Sequence, residues 1–331
     1  MAVLQTTWFV IIVALVTGFM VMGGTDFGAG FWYLFTPRGR ERMAILKAIG
    51  PVWDGNEVWL VTAGALVFAA FPPVYASLFS ALYLPVMLLA FALILRTVAI
   101  EFAAQDVSPK WNKAWDMGFG VGSILSMVLL GAAMGNVLRG IPMDDHGNFT
   151  GTFLGILNPY ALLIALTGLA MVATHGALFL QIRMGEKIAS RTRRWAGMAL
   201  WSFVILYISC VIASIFTQPR MMLNFTHIPA LWALPVLTLL LIILIGFKNH
   251  AGDAAGASRF SVASIIGLFA TAATTHYPRM LPSLNGSSHG YTIANGSSSA
   301  LTLTLMLPIT LIGMGIVISY TAFVRKQFRD K

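Results

Sequence analysis

The sequence predicts an all-α protein that crosses a membrane several times, because composition and segment lengths agree. The chain is 58% hydrophobic and 10% charged over 331 residues, whereas a soluble globular domain carries about 25% charged residues. Apolar segments of about 20 residues, long enough to cross a bilayer as helices, recur from end to end. The connections between them are mostly short, so we expect one integral membrane domain covering residues 1–331.

Nine candidate spans follow one another along the chain, and Arg96 is the one charge that interrupts the third. Each is read from a sustained apolar run bounded by polar, charged or turn-forming residues. The approximate bounds are 7–24, 51–70, 76–100, 114–137, 159–182, 196–216, 229–247, 260–277 and 301–323.

Basic residues indicate the orientation of these spans, because Lys and Arg favour the cytoplasmic side. Only Arg139, Arg220 and Arg279 lie in the alternate loops that would face outward. Most of the 21 basic residues lie on the other side: Arg38, Arg40, Arg42, Lys47, Lys110, Lys113, Arg183, Lys187, Arg191, Arg193, Arg194, Lys248, Arg259, Arg325, Lys326, Arg329 and Lys331. We therefore expect a periplasmic N-terminus and a cytoplasmic C-terminus. Eight or ten spans would break this alternation. The net charge of +9 thus reflects membrane topology and requires no nucleic acid.

Six ionisable residues lie near the cytoplasmic ends of the first four spans: Asp26, Asp54, Glu57, Arg96, Glu101 and Asp116. Charges within a membrane are costly, which makes such residues functional candidates. Asp54 and Glu57 are one helical turn apart and share a face. A net-acidic cluster with one arginine could relay protons. Alternatively, Arg96 pairs with one carboxylate and braces the bundle, which we favour for Arg96, Asp26 and Asp116. For Asp54 and Glu57 both interpretations stay open.

Few residues of this chain could hold a metal or a haem. Cys210 is the single cysteine, which excludes an internal disulfide and a multi-cysteine metal site. His175 alone among the histidines lies well inside a span, where we expect a hydrogen-bonded packing role. The 17 methionines are scattered as apolar filler. Membrane haems usually take His or Met ligands, so we expect no metal site here and assign any haems to a partner.

The segment Trp53–Leu60 reads Trp-Asp-Gly-Asn-Glu-Val-Trp-Leu and resembles the Trp-Asp-Gly-Asn-x-Val-Trp-Leu pattern of subunit II of the cytochrome bd-type quinol oxidases. Further matches reach Ser299–Met306, so the resemblance covers the whole chain. Two positions depart from the family pattern. The family commonly has Asp-Gly-Phe-Asp where this chain has Gly-Gly-Thr-Asp26, and Glu57 stands where relatives often have an amide.

The resemblance implies two four-helix bundles plus one peripheral helix in the bacterial cytoplasmic (inner) membrane. It implies a heterodimer whose subunit I carries haem b and haem d, oxidises ubiquinol or menaquinol and reduces O2 to water. This chain would ligate no haem and would not be catalytic alone. The resemblance also implies that the complex contains a structural quinone, membrane lipid and a small single-span accessory subunit.

For individual residues, the resemblance implies that Asp54 feeds cytoplasmic protons towards the oxygen-reducing haem. The charge pattern makes Glu57 and Asp26 further candidates for the proton path. It implies that Trp59 borders an apolar route for oxygen. Arg96, Glu101 and Asp116 are expected to be structural charges.

Two alternatives compete with this function. An ion-coupled secondary transporter would use the acidic cluster as its ion site, although transporters often show interrupted helices near the middle of the bilayer. A purely structural scaffold would use Asp54 and Glu57 only to anchor the second helix.

Overall fold

The computed structural model describes residues 1–103, 105, 108–285 and 290–327, without the side chains of 186–189 and 325. The side chains of Lys187 and Arg325, and all of Arg329 and Lys331, therefore lie outside the described part. The helices are α1 (Ala2–Leu34), α2 (Arg40–Ile49), α3 (Trp53–Ala70), α4 (Pro72–Ala81), α5 (Tyr83–Ala103), α6 (Pro109–Arg139), α7 (Phe153–Ile156), α8 (Pro159–Arg183), α9 (Glu186–Thr217), α10 (Leu223–His227), α11 (Ala233–His250), α12 (Ala254–His276) and α13 (Ala300–Gln327). The fold also contains two 3-10 turns, Pro219–Met222 and Pro229–Trp232. Two short strands, β1 (Arg279–Leu281) and β2 (Tyr291–Thr292), form an antiparallel pair.

The long helices form two four-helix bundles and one peripheral helix, as predicted. Helices α1, α3, α5 and α6 pack in the first bundle, and α8, α9, α11 and α12 in the second. Packing of α8 against both α1 and α6 joins the bundles. Helix α13 touches α1 and α3 and leaves most of its apolar side chains exposed. An apolar exterior of this kind suits a multi-pass membrane protein.

Eight of the helices in the described part are long and apolar enough to cross a membrane. The predicted span missing from these eight is the second, 51–70, which corresponds to α3; this helix has 18 residues but carries Asp54, Asn56 and Glu57 in its first two turns. These polar residues lower its mean hydropathy. The predicted count of nine thus corresponds to eight strongly apolar helices plus one with a polar first half.

Several helix bounds differ from the sequence expectation. Helix α1 continues to Leu34 instead of ending near residue 24, so Asp26 lies inside the helix. The expected span 76–100 includes a break at Leu82, where α4 ends and α5 begins. Pro51 precedes the first turn of α3, which begins at Trp53. Tertiary packing outweighs local propensity at the end of α1, where Gly and Asp weaken the helical signal.

Close contact with α8 explains why α1 stays helical through its glycines. A Cβ added to Gly28 would lie 2.0 Å from the carbonyl oxygen of Val172, so the two backbones nearly touch. The indole N–H of Trp32 donates to the carbonyl of Ala173 at 2.7 Å, and its ring stacks on Trp195 with centroids 4.8 Å apart. Small residues that permit such approach are typical of membrane helix interfaces.

We refer below to the basic end of the molecule. It is the end at which α1, α5, α8, α11 and α13 finish and α3, α6, α9 and α12 begin. It carries most of the lysines and arginines.

Candidate functional site

A buried ion pair lies in the first bundle near the basic end. Arg96 of α5 is fully buried and forms an ion pair with Glu57 of α3. Its guanidinium also lies 4.4 Å from the ring centroid of Phe27 on α1. Nε and Nη2 of Arg96 have no hydrogen-bond partner within the described residues. The Glu57 side chain is 23% exposed, so this pair reaches from the bundle interior towards the surface.

A second polar contact joins α1 to α3 beside this pair. Asp26 is fully buried and accepts hydrogen bonds from Asn56 Nδ2 at 2.7 Å and from Thr25 Oγ1 at 3.2 Å. Asn56 Nδ2 also donates to the carbonyl of Met22 at 3.2 Å. The sequence interpretation did not assign a role to Asn56. The sequence feature that could have identified Asn56 is the presence of an amide among the acidic residues in the first turns of an apolar helix.

Asp116 belongs to a separate cluster at the same end. Its carboxylate accepts from the Tyr33 hydroxyl at 2.5 Å and pairs with Arg38 at 3.1 Å and with Arg42. The Arg42 guanidinium also lies 4.9 Å from the Tyr33 ring centroid. Asp116 therefore ties α6 to the end of α1 and the start of α2. The sequence interpretation missed all three partners, because they become neighbours only when α1 continues past Asp26.

The remaining two candidate carboxylates lie on the surface. Asp54, in the first turn of α3, and Glu101, near the end of α5, are both exposed. Neither forms an ion pair or a side-chain hydrogen bond with residues in the described ranges. Asp54, Glu57 and Asp26 thus differ in depth: exposed, partly exposed and fully buried. The structure brings these three together near the start of α3, while Asp116 has separate partners, Tyr33, Arg38 and Arg42.

Trp59 borders a groove between α1, α3 and α13. Its side chain is 8% exposed and packs on Gly18, where an added Cβ would lie 2.5 Å from the indole ring. The indole Nε1 has no partner among the described atoms. The groove has a volume of about 190 Å³, with Thr62, Thr310 and Gly313 on its walls.

A larger apolar cavity of about 210 Å³ lies between the two bundles. Methionines and aromatic side chains from both bundles line it, together with Cys210. Its polar groups are mostly satisfied: the Tyr160 hydroxyl lies 2.8 Å from Ser214 Oγ, and Cys210 Sγ lies 3.0 Å from the hydroxyl of Thr167. Gly168 faces this space, and a Cβ there would meet no atom within 4 Å.

Hydrogen bonds hold the ring of His175, the histidine that lies well inside a predicted span. His175 has Nδ1 2.8 Å from Ser261 Oγ and Nε2 3.0 Å from the Val21 carbonyl. Both ring nitrogens are thus engaged, which confirms the predicted packing role. No histidine lines the apolar cavity within the described part of the chain. The described residues also contain no group of three His, Cys, Asp or Glu side chains placed to bind a metal.

Comparison with known proteins links this fold to one family. The family described as cytochrome bd terminal oxidase subunit II matches residues 4–328. The probable cytochrome oxidase subunit 2 of Haemophilus influenzae is 31% identical over 351 residues, covering 96% of this chain and 92% of that protein. Cytochrome bd-I ubiquinol oxidase subunit 2 of Escherichia coli is also 31% identical, over 352 residues, covering 97% and 93%. The bd oxidase structure from Geobacillus thermodenitrificans shares the fold, with a TM-score of 0.79, 16% identity and coverage of 99% and 100%.

The buried ion pair leads to a stability prediction. Glu57→Leu leaves Arg96 buried without a counter-charge, so the free energy of unfolding should fall by about 3 kcal/mol. The double variant Glu57→Leu/Arg96→Met should recover most of this loss, because neither charge then remains buried. Thermal unfolding of the purified protein measures both, with the exposed Glu101→Gln as a control expected to stay near wild type. Equal losses in the single and double variants would contradict an uncompensated charge as the cause.

Proposed function

The chain belongs to the cytochrome bd terminal oxidase subunit II family, and we propose that it is the haem-free subunit that supplies protons to a haem-bearing subunit I. Its relatives are named as subunits of ubiquinol oxidases. In the proposed complex, subunit I holds haem b and haem d, oxidises ubiquinol or menaquinol and reduces O2 to water. When bound there, the haems supply the electron-transfer and oxygen chemistry. This chain contributes protons, an oxygen route and an apolar ligand site.

The proposed membrane is the bacterial cytoplasmic (inner) membrane, with the basic end in the cytoplasm. The excess of Lys and Arg at one end supports this orientation. The bacterial relatives support the compartment. The proposed complex also includes the small accessory subunit implied by the resemblance. Co-purification of this subunit with the complex tests its presence. Family membership does not favour the ion-coupled transporter.

The proton path rests on one observation: three carboxylates near the start of α3 lie at increasing depth from the surface. Asp54 is exposed and takes protons from water. Glu57, one turn further along α3, reaches from the surface to fully buried Arg96. Arg96 offsets negative charge within the cluster, which allows neighbouring carboxylates to remain in a low-dielectric setting. Asp26, held by Asn56, provides a further acceptor in the interior.

The groove at Trp59 supports an oxygen route from the lipid phase. Apolar molecules partition into the membrane interior, and the groove lies between the peripheral α13 and the bundle helices α1 and α3. Oxygen entering there would meet the buried indole of Trp59 and the contact of that ring with Gly18.

The cavity between the bundles supports a structural quinone. An isoprenoid tail is apolar and flexible, and methionine-lined walls adapt to such shapes. The cavity of about 210 Å³ would hold part of the tail or ring, with the Tyr160–Ser214 hydroxyl pair as the polar group beside it.

Neutralising Asp54 tests the proton path. In the purified complex, Asp54→Asn should keep the wild-type haem content, because no haem contact is removed. Quinol:O2 turnover should fall about tenfold or more, since a positioned proton-transfer group is lost. Asp54→Glu should restore much of the rate, and Glu101→Gln, which removes an exposed carboxylate at the same end, should have little effect. Normal turnover in Asp54→Asn would rule out this path.

Filling the groove at Trp59 tests the oxygen route. Gly313→Phe places a large ring on the groove wall, where an added Cβ meets no atom within 4 Å. The apparent KM for O2 should rise, while kcat at saturating O2 stays unchanged. Gly315→Phe adds the same ring to α13 at a position with equal free space outside the groove. An unchanged KM in Gly313→Phe, or an equal rise in both variants, would contradict the route.

Filling the cavity between the bundles tests the quinone site. Gly168→Leu adds a side chain on the cavity wall, where an added Cβ meets no atom within 4 Å, and leucine favours helix more than glycine does. Quinone extracted per purified complex should drop sharply relative to wild type. Gly64→Leu, which also meets no atom within 4 Å but does not line the cavity, should leave it unchanged. Retention of wild-type quinone content in Gly168→Leu would contradict the assignment.

A further inference from the structure

A turn in the second bundle gathers cationic side chains from three helices. Helix α11 ends at His250 and α12 begins at Ala254. Gly252 in the connection has a positive φ of +80°, a conformation that favours glycine. The Arg193 guanidinium, from the start of α9, lies against it, with Nη2 2.9 Å from where a Cβ on Gly252 would be. Asn249 Nδ2 fixes the Arg193 backbone by donating to its carbonyl at 3.0 Å.

The acidic residue of this turn is already engaged. Asp253 accepts from the backbone N–H of Gly256 at 2.8 Å, capping α12, and pairs with Lys248 at 3.2 Å. The Gly256 amide and the Lys248 ammonium lower the pKa of Asp253, and Arg259 lies close enough to lower it further. Lys248, Arg193 and Arg259 therefore leave the site with a net positive charge. We call these five residues and Gly252 the basic turn: Arg193, Lys248, Gly252, Asp253, Gly256 and Arg259.

Three other arginines at the basic end have carboxylate partners. Arg38 and Arg42 pair with Asp116, and Arg191 pairs with Glu41. Arg193 and Arg259 form no ion pair or side-chain hydrogen bond with residues in the described ranges, and both are exposed. General enrichment of cations at one membrane face does not require two unpaired guanidinium groups beside one glycine turn.

Exposed apolar side chains continue from the basic turn along α9 and α11. Phe247, next to Lys248, is 70% exposed, and Trp201 of α9 is 71% exposed. The two helices touch at Leu200 and Gly246, where an added Cβ would lie 3.2 Å from the leucine side chain. A ligand at this turn would therefore meet cations at one end and an apolar surface at the other.

We propose that the basic turn binds the phosphate of an anionic phospholipid, with its acyl chains against α9 and α11. The placement in the cytoplasmic leaflet rests on the orientation given under the proposed function. Guanidinium groups bind phosphate oxygens in a forked, bidentate geometry. Each basic residue near an anionic membrane surface contributes about 1 kcal/mol of attraction. The adjoining apolar surface selects a lipid over free phosphate.

Lipid retention by the purified complex tests the site without reference to turnover, so its outcome is independent of the proton-path test. Complexes in detergent are titrated with phosphatidylglycerol or phosphatidylcholine, and bound lipid is counted by native mass spectrometry. Wild type should retain phosphatidylglycerol in preference to phosphatidylcholine. Arg193→Gln and Arg259→Gln should each weaken that binding about fivefold, from the contribution per arginine. Arg40→Gln, which removes an exposed arginine from α2 at the same end, should leave it unchanged.

Three results would overturn the proposal. If both variants retain phosphatidylglycerol as the wild type does, Arg193 and Arg259 do not bind the lipid. An equal loss in Arg40→Gln would show a diffuse charge effect. Displacement of the lipid by inorganic phosphate at comparable concentration would indicate a free-anion site.

Discussion

The ion pair between Arg96 and Glu57 is the interaction on which the first bundle depends. An arginine with no exposed surface costs several kcal/mol to bury unless a charge opposes it, and Glu57 is its carboxylate partner in the described structure. The pair sets the distance between α3 and α5, while Phe27 under the guanidinium brings in α1. Once α3 is held in this way, its first turn leaves Asp54 at the surface. One constraint therefore links stability to the proposed path for protons.

Helix α1 extends this constraint to the rest of the molecule. Asp26 and Asn56 connect it to α3, and Gly28 lets its backbone approach α8 of the second bundle. The bundles are thus joined by close backbone contact near the basic end. An apolar cavity remains between them along other parts of α1, α6, α8 and α9. The carboxylates are held rigidly at one end, while the apolar space between the bundles can adapt to a ligand. This arrangement supports the two proposed roles, proton supply and ligand binding, within one subunit.

The helices and the Trp-Asp-Gly-Asn segment could be predicted from sequence, because hydropathy and motif spacing are local properties. The continuation of α1 past Asp26 could not, because its glycines weaken the helical signal and only contact with α8 stabilises it. Helix rotation decides which carboxylate meets Arg96. Sequence therefore predicted an ion pair as one alternative, but not that Glu57 would be the partner while Asp116 binds Arg38 and Arg42. The cavities and the basic turn depend on tertiary packing and left no sequence signal.

On the proposed path, protons for oxygen reduction enter at the basic end. It is tested most directly in proteoliposomes sorted so that the basic end of the complex faces outward. A single turnover of the reduced complex with O2 is followed by one pH dye outside and another trapped inside. If protons enter at the basic end, the outer dye should report proton uptake in step with oxygen reduction while the trapped dye reports none. Uptake reported by the trapped dye would contradict it.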